Sequence, residues 1–141
     1  MKADSRTEGE VKTILHSFTN AYRNRDMKGL LKCIAPDADM VMYGTGADEK
    51  CIGPEQIRTQ VERDWAQSES AAILFDWTSI SAMGQVAWVA VDGTFKFKAG
   101  GQDGAMPARI TFILESREGK WFIVHVHFST PAATQEKGYS F

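Results

Sequence analysis

The sequence predicts an α+β domain in which three N-terminal helices pack on one face of a curved antiparallel β-sheet. Apolar residues recur with the 3.6-residue period of helices before residue 70, and with the two-residue period of strands from residue 73 onward. Helices followed by a run of strands are typical of α+β folds. A chain of 141 residues fits one domain, so we expect a single domain over residues 1–141 with terminal tails at 1–7 and 131–141.

The composition excludes several classes of function. The chain is 43% hydrophobic and 24% charged, and its net charge of −2 argues against a protein that binds nucleic-acid backbones. No apolar run approaches the ~20 residues that a membrane span requires. Two cysteines are too few for a disulfide framework and suit a reducing compartment. We therefore expect a cytoplasmic protein with no nucleic-acid or membrane partner.

The first helix is predicted from an apolar stripe on one helical face: Val11, Ile14, Leu15, Phe18, Ala21 and Tyr22. Thr7 and Glu10 have the spacing of a capping box at its start. Asp26 is suited to cap a second, shorter helix that runs from Met27 to about Ile34. Proline disfavours helix at the residue before it, so this second helix should end ahead of Pro36.

A short strand is predicted over residues 39–43, followed by a polar loop over residues 44–50. The loop contains Gly-Thr-Gly but lacks the spacing of a phosphate-binding loop, so we interpret it as a mobile rim at the mouth of a cavity or as a simple turn. Pro54 is suited to the first position of a third helix, whose apolar stripe has a spacing of four: Ile57, Val61 and Trp65.

Four strands rich in β-branched and aromatic residues are predicted to follow, over residues 73–81, 86–98, 109–115 and 120–129. Strict alternation divides the last strand into an apolar face and a mixed face. The apolar face contains Phe122, Val124, Val126 and Phe128 and should lie under the helices. The mixed face contains Trp121, Ile123, His125, His127 and Ser129.

The mixed faces of the last two strands predict a homodimer. They are too apolar for open water and too polar for a core, which is typical of a subunit interface formed by Arg109, Trp121, His125 and His127. His125 and His127 also have a spacing that metal ligands use, and a catalytic role is a further alternative. Because no third ligand accompanies them, we favour hydrogen bonding within the interface and expect no metal site and no cofactor.

The chain resembles the nuclear transport factor 2-like superfamily, specifically its SnoaL-like branch. The motifs that carry the resemblance are the first helix ending in Asn24-Arg25-Asp26, the segment 53–57, the strand 86–90 and the stretch 119–129. The last stretch is also similar to the association domain of calcium/calmodulin-dependent kinases, a hub module of the same superfamily. The resemblance implies a cone-shaped fold with a pocket between the curved sheet and the helices.

The resemblance to ketosteroid isomerase, a member of the same superfamily, does not extend to its chemistry. Counting from Arg25-Asp26, the isomerase's tyrosine donor falls on Phe18 and its aspartate base on Met42. Its carboxyl donor falls near Thr111 or Phe112. Neither phenylalanine nor methionine can donate or accept the required proton. Steroid isomerisation by that route is therefore not expected.

The resemblance to the hub domain places Asp92 in the pocket as the candidate catalytic residue. The pocket arginines of the hub fall on Asp92, Phe112 and Phe128, which disfavours an anionic ligand. A carboxylate in an apolar cavity would have a raised pKa, as a general base requires. Tyr22 or Tyr43 could donate a proton. Alternatively, Asp92-Gly93 forms a bulge and the carboxylate is structural.

The aromatic and methionine side chains indicate a hydrophobic ligand, although they would equally form a filled core. The candidates for ligand contact are Phe18, Tyr22, Met42, Trp65, Trp88, Phe112 and Phe128. We expect a pocket protein that binds or transforms a cyclic or polyketide-like compound. If it is an enzyme, the expected class is a cofactor-free isomerase, cyclase or dehydratase. The alternative function is a non-catalytic oligomeric scaffold.

Overall fold

A computed structural model describes all of residues 1–141. The helices are α1 (Ser5–Arg23), α2 (Met27–Lys32) and α3 (Pro54–Ala66). The strands are β1 (Val41–Tyr43), β2 (Lys50–Ile52), β3 (Ser70–Met83), β4 (Val86–Ala99), β5 (Gln102–Arg117) and β6 (Lys120–Ser129). The three helices pack on a curved, unclosed sheet, which confirms the predicted α+β class.

Local capping residues set where the helices begin. Asp26 accepts a hydrogen bond from the Gly29 amide at 3.0 Å and caps α2, as the sequence predicted. The predicted capping box of α1 does not form. Asp4 accepts from the Thr7 amide at 2.8 Å instead, so α1 begins earlier than expected. The N-terminal tail is shorter for the same reason, and its first residues attach to β3 through a hydrogen bond from the Ala3 amide to the Ile80 carbonyl.

The sheet is mixed, with strand order β2-β1-β6-β5-β4-β3. The four long strands form the predicted antiparallel meander. In addition, β1 pairs in parallel with β6 and antiparallel with β2, and this one parallel pairing makes the otherwise antiparallel sheet mixed. β2 has three residues, which is too short to show a two-residue period, and sequence reasoning assigned its start to a loop.

The core lies between the helices and the sheet face that they cover. Its largest fully buried side chains come from every layer: Val11, Leu15, Leu30, Ile57, Val89, Phe112, Leu114, Ile123 and Val126. The opposite face of the sheet, here called the bare face, carries no covering element. None of the helices is both long and apolar enough to cross a membrane.

A bulge in β6 overturns part of the predicted interface. Ile113 pairs with His125 while the next residue of β5, Leu114, pairs with Ile123, so β6 contains one extra residue, Val124. The alternation therefore changes phase, and Trp121 lies on the helix-covered face with 6% of its surface exposed. Its indole N–H donates to Glu10 of α1 at 3.0 Å. Trp121 is thus not part of the bare face.

Candidate functional site

A cavity of about 380 Å³ lies between α1, α3, the β1–β2 loop and the helix-covered face of the sheet. Of its 20 lining residues, 12 are hydrophobic, so a ligand would meet mainly apolar surface. The aromatic residues of this lining are Phe18, Tyr22, Phe95, Phe97 and Phe128. The volume is within the usual range for small-molecule sites.

Four of the residues predicted to contact a ligand line this cavity: Phe18, Tyr22, Met42 and Phe128. Phe112 lies beneath them and is fully buried. Its ring centroid is 5.9 Å from that of Phe18 and 6.2 Å from that of Phe128, both at steep angles. Phe112 therefore supports the cavity wall without forming its surface.

The two predicted tryptophan contacts lie outside the cavity. Trp65 packs behind Tyr22, and its indole N–H donates to the Tyr22 carbonyl at 3.1 Å. Trp88 lies on the bare face and is 38% exposed, because its neighbours Ala87 and Val89 take the helix-facing positions of β4. Trp88 is therefore excluded from the cavity by the strand alternation.

Asp92 also lies on the bare face, which corrects the expectation that it faces the cavity. Val91 and Gly93 point toward the helices and are buried, so the period of two directs Asp92 outward. It is exposed and pairs in register with Arg109 of β5 and Trp77 of β3. A carboxylate in this position is open to solvent and cannot act on a molecule in the cavity.

Two carboxylates line the cavity, Glu49 of the β1–β2 loop and Asp64 of α3, and Asp64 is the one that no cation contacts. Its Oδ2 accepts a hydrogen bond from the Tyr22 hydroxyl at 2.8 Å, and its Oδ1 accepts from Nε2 of Gln60 at 2.9 Å. Burial raises the pKa of Asp64 above its ordinary value of 3.8, although both hydrogen bonds act in the opposite direction. Burial and the neighbouring carboxylate raise the pKa of Tyr22 above its usual range, so the phenol stays protonated.

Sequence reasoning missed Asp64 because it weighed only the apolar stripe of α3. Ile57, Gln60, Val61 and Asp64 follow the spacing i, i+3, i+4, i+7 and therefore share one helical face. The signal was present as two polar residues inside a core-facing stripe. Polar groups that a helix directs inward need hydrogen-bond partners, and here they find them at the cavity wall.

The β1–β2 loop covers one side of the cavity and is attached to α3 by Glu49. Glu49 Oε2 accepts from the Gly46 amide at 2.7 Å, while Oε1 accepts from Gln60 at 3.2 Å and from Arg63 at 3.0 Å. Arg63 also donates to Asp48 at 2.9 Å. The loop predicted from its glycines is thus a structured rim.

The two histidines of β6 do not contribute to the cavity. His125 and His127 lie on the bare face beside Arg109, as the sequence predicted, and the His127 ring lies 5.0 Å from that of Tyr43. No cluster of three or more His, Cys, Asp or Glu side chains is arranged to hold a metal ion. Within the cavity Glu49 is paired with Arg63, which leaves the Asp64 carboxylate and the Tyr22 phenol as the groups available for proton chemistry.

Comparison with known proteins agrees with this architecture. The model of the SnoaL-like domain matches residues 11–133. No curated protein matches the sequence.

Three solved structures are reported as similar, and at these identities they establish the fold alone. A nuclear transport factor 2-like superfamily protein from Salmonella enterica serovar Typhimurium has a TM-score of 0.84 and 19% identity, covering 97% of this chain and 100% of that one. A candidate dehydratase of the same superfamily from Streptomyces avermitilis has a TM-score of 0.83 and 16% identity, covering 93% and 100%. A candidate calcium/calmodulin-dependent kinase II association domain from Xanthomonas campestris has a TM-score of 0.78 and 24% identity, covering 88% and 87%.

Proposed function

The chain belongs to the SnoaL-like domain family, a ligand-binding or small-molecule-transforming family, and from this premise we propose that it performs cofactor-free acid/base chemistry on a small, mainly apolar molecule. The observation that carries the proposal is the contact between Asp64 and Tyr22 at the cavity wall, 2.8 Å long. It supplies a proton acceptor and a proton donor in one apolar site. Isomerisation, cyclisation and dehydration each require such a pair.

In this proposal Asp64 removes a proton from a carbon next to a carbonyl group of the ligand. Burial prepares the carboxylate, because a raised pKa brings a base closer to the pH at which it must act. Tyr22 stays protonated and can donate a hydrogen bond to Asp64 or to the oxygen on which negative charge develops. The aromatic lining excludes water and holds the apolar part of the ligand.

The test is proton exchange on a model ketone. The protein is incubated with the bicyclic ketone 2-tetralone in D₂O, and loss of the α-proton signal is followed by NMR. We expect the wild type to accelerate exchange above the buffer rate, and Asp64→Asn to reduce the acceleration by roughly 100-fold, the usual scale for a general base. The matched control is Asp92→Asn, which changes a carboxylate on the bare face and should exchange at the wild-type rate. Equal rates for wild type and Asp64→Asn would contradict the proposal.

We further propose a homodimer that forms through the bare face. This face exposes large apolar side chains, including Trp77 at 55% and Trp88 at 38%, around the charged pair of neighbours Asp92 and Arg109. Aromatic side chains and arginine are both enriched at subunit interfaces, so this composition favours one here. Sedimentation equilibrium should give the mass of a dimer, and Trp88→Lys should shift it toward monomer. The control is Lys28→Glu on α2, which should leave the mass unchanged. A monomeric wild type would exclude this interface, and a larger assembly would favour the scaffold function.

A further inference from the structure

Of the carboxylates around the cavity, some are paired with a cation and one is not. Glu49 is paired with Arg63 at 3.0 Å, and Arg63 also holds Asp48, so the cation near this rim is already engaged. Asp64 takes part in none of the ion pairs of the molecule, and both of its hydrogen-bond partners, Tyr22 and Gln60, are neutral. An ionised carboxylate at an apolar wall therefore lacks a cationic partner.

The lining itself supplies little positive charge. Its one basic residue is Lys96, which is exposed, whereas Asp64 is half-buried beside Tyr22. The remaining polar lining residues are amides, hydroxyls and the carboxylate of Glu49. A carboxylate or phosphate ligand would therefore have to approach two carboxylates with no buried cation to receive it.

The aromatic lining favours the opposite sign of charge. The faces of aromatic rings carry negative charge density and attract ammonium groups within about 6 Å of the ring centre. Five of the lining residues are aromatic, and two of them, Phe95 and Phe128, pack with ring centroids 5.9 Å apart. Phe97 adds a further ring to this lining. Its ring lies directly over Gly104, where a side chain larger than hydrogen would collide with it.

We propose that the ligand of this cavity is an amphiphilic amine, whose ammonium group pairs with Asp64 while its hydrocarbon part packs among the aromatic rings. The inference rests on the proposed function in one respect, namely that the cavity is the ligand site, and it gives Asp64 a binding role that does not require this carboxylate to act as the base. It adds the chemical class of the ligand. A neutral terpenoid or a fatty acid would leave Asp64 without its cation.

Three probes of equal length separate the sign of charge from apolar packing. At neutral pH 4-phenylbutylamine is a cation, 4-phenylbutanol is neutral and 4-phenylbutyrate is an anion. Their dissociation constants for the full chain are measured by NMR titration. We expect the amine to bind about tenfold more tightly than the alcohol, a ratio that a cation–π contact and one charge pair can provide, and the butyrate to bind most weakly.

Asp64→Asn should remove the advantage of the amine over the alcohol, because the amide has the shape of the carboxylate without its charge. Binding of the alcohol within about twofold of the wild-type value would show that the variant still forms the cavity. Asp92→Asn is the matched control and should keep the wild-type order of affinities. The inference is overturned if the wild type shows no preference for the amine, or if Asp64→Asn retains it.

The binding and exchange experiments together show which of the two proposals has failed. If 2-tetralone exchange depends on Asp64 but the amine has no advantage, only the ligand class is wrong. If exchange is absent and none of the three probes binds, both proposals are wrong, because the cavity then holds no ligand of this kind.

Discussion

The two faces of the sheet use the same kinds of residue for different purposes. Each face has an aspartate near aromatic side chains: Asp64 of α3 approaches the covered face beside Tyr22, and Asp92 lies on the bare face near Trp77. Asp64 is half-buried with two neutral hydrogen-bond donors, and its pKa is raised. Asp92 is exposed to solvent.

The difference shows that environment, and not residue type, determines which carboxylate can perform proton chemistry. Water solvates an exposed carboxylate and screens its charge, which weakens its interaction with any nearby group. Covering one face of the sheet with helices removes that water. The same helices supply Tyr22 and Gln60, the groups that hold Asp64 in place.

The largest expected difference between the faces is the loss of unfolding free energy when two neighbouring residues of β5 are substituted. Phe112 is fully buried under the cavity, whereas Thr111 is exposed on the bare face. Phe112→Ala should lower the free energy of unfolding by about 3–5 kcal/mol, because it removes apolar burial and leaves a void. Thr111→Ala should change it by no more than about 0.5 kcal/mol. Urea denaturation measures both, and similar losses would break the comparison.

A smaller difference in stability is expected when two tryptophans, one on each face, are replaced by phenylalanine. Trp121 is buried and donates to Glu10 at 3.0 Å, while Trp88 is exposed and the structure gives its indole no hydrogen-bond partner. Trp121→Phe should cost about 1 kcal/mol of stability through loss of that hydrogen bond. Trp88→Phe should cost less than about 0.5 kcal/mol, because phenylalanine keeps an aromatic ring at this position of the bare face and no hydrogen bond is lost. Thermal unfolding of the two variants at equal concentration measures the difference, and a larger loss for Trp88→Phe would reverse the assignment of faces.

The smallest effect is the pH dependence that Asp64 imposes on stability. Its pKa is raised on folding, so the folded state binds this proton more tightly than the unfolded chain. The contribution to stability is fully present below the ordinary value of 3.8 and is lost as the pH rises through the raised value.

Removing the ionisable group at Asp64 should therefore stabilise the protein more at neutral pH than in acid. The urea midpoint of Asp64→Asn, relative to wild type, should rise between about pH 3 and about pH 7. Comparing the two pH values cancels the constant effect of the amide on the bonds with Tyr22 and Gln60. A relative midpoint that falls over this range would contradict the raised pKa.

Local features of the sequence were sufficient to predict the helices and the general fold. The cap at Asp26 and the start of α3 at Pro54 depend on residues within one turn, so they could be predicted without knowing the rest of the chain. The long strands were equally clear, because their β-branched and aromatic residues continue over ten residues or more. Four cavity-lining residues followed from the same patterns and the family resemblance.

The predictions that failed concern features that depend on contacts between distant segments. The bulge at Val124 is defined by pairing between β5 and β6, and strict alternation misplaces Trp121 without it. Asp92 was placed by a resemblance that fixes a position in the chain but not the face of the strand. Asp64 was overlooked because its importance depends on Tyr22, which is 42 residues away in sequence.

Gln60 gives the site a further property. An amide nitrogen has two hydrogens, and here one is donated to Asp64 at 2.9 Å and the other to Glu49 at 3.2 Å. One side chain therefore spans from the proton acceptor to the rim loop. Because Glu49 also accepts from the Gly46 amide and from Arg63, the carboxylate that orders the rim loop is the same one that orients the Gln60 amide toward Asp64. The order of the rim and the hydrogen bonding of the proton acceptor therefore depend on one side chain.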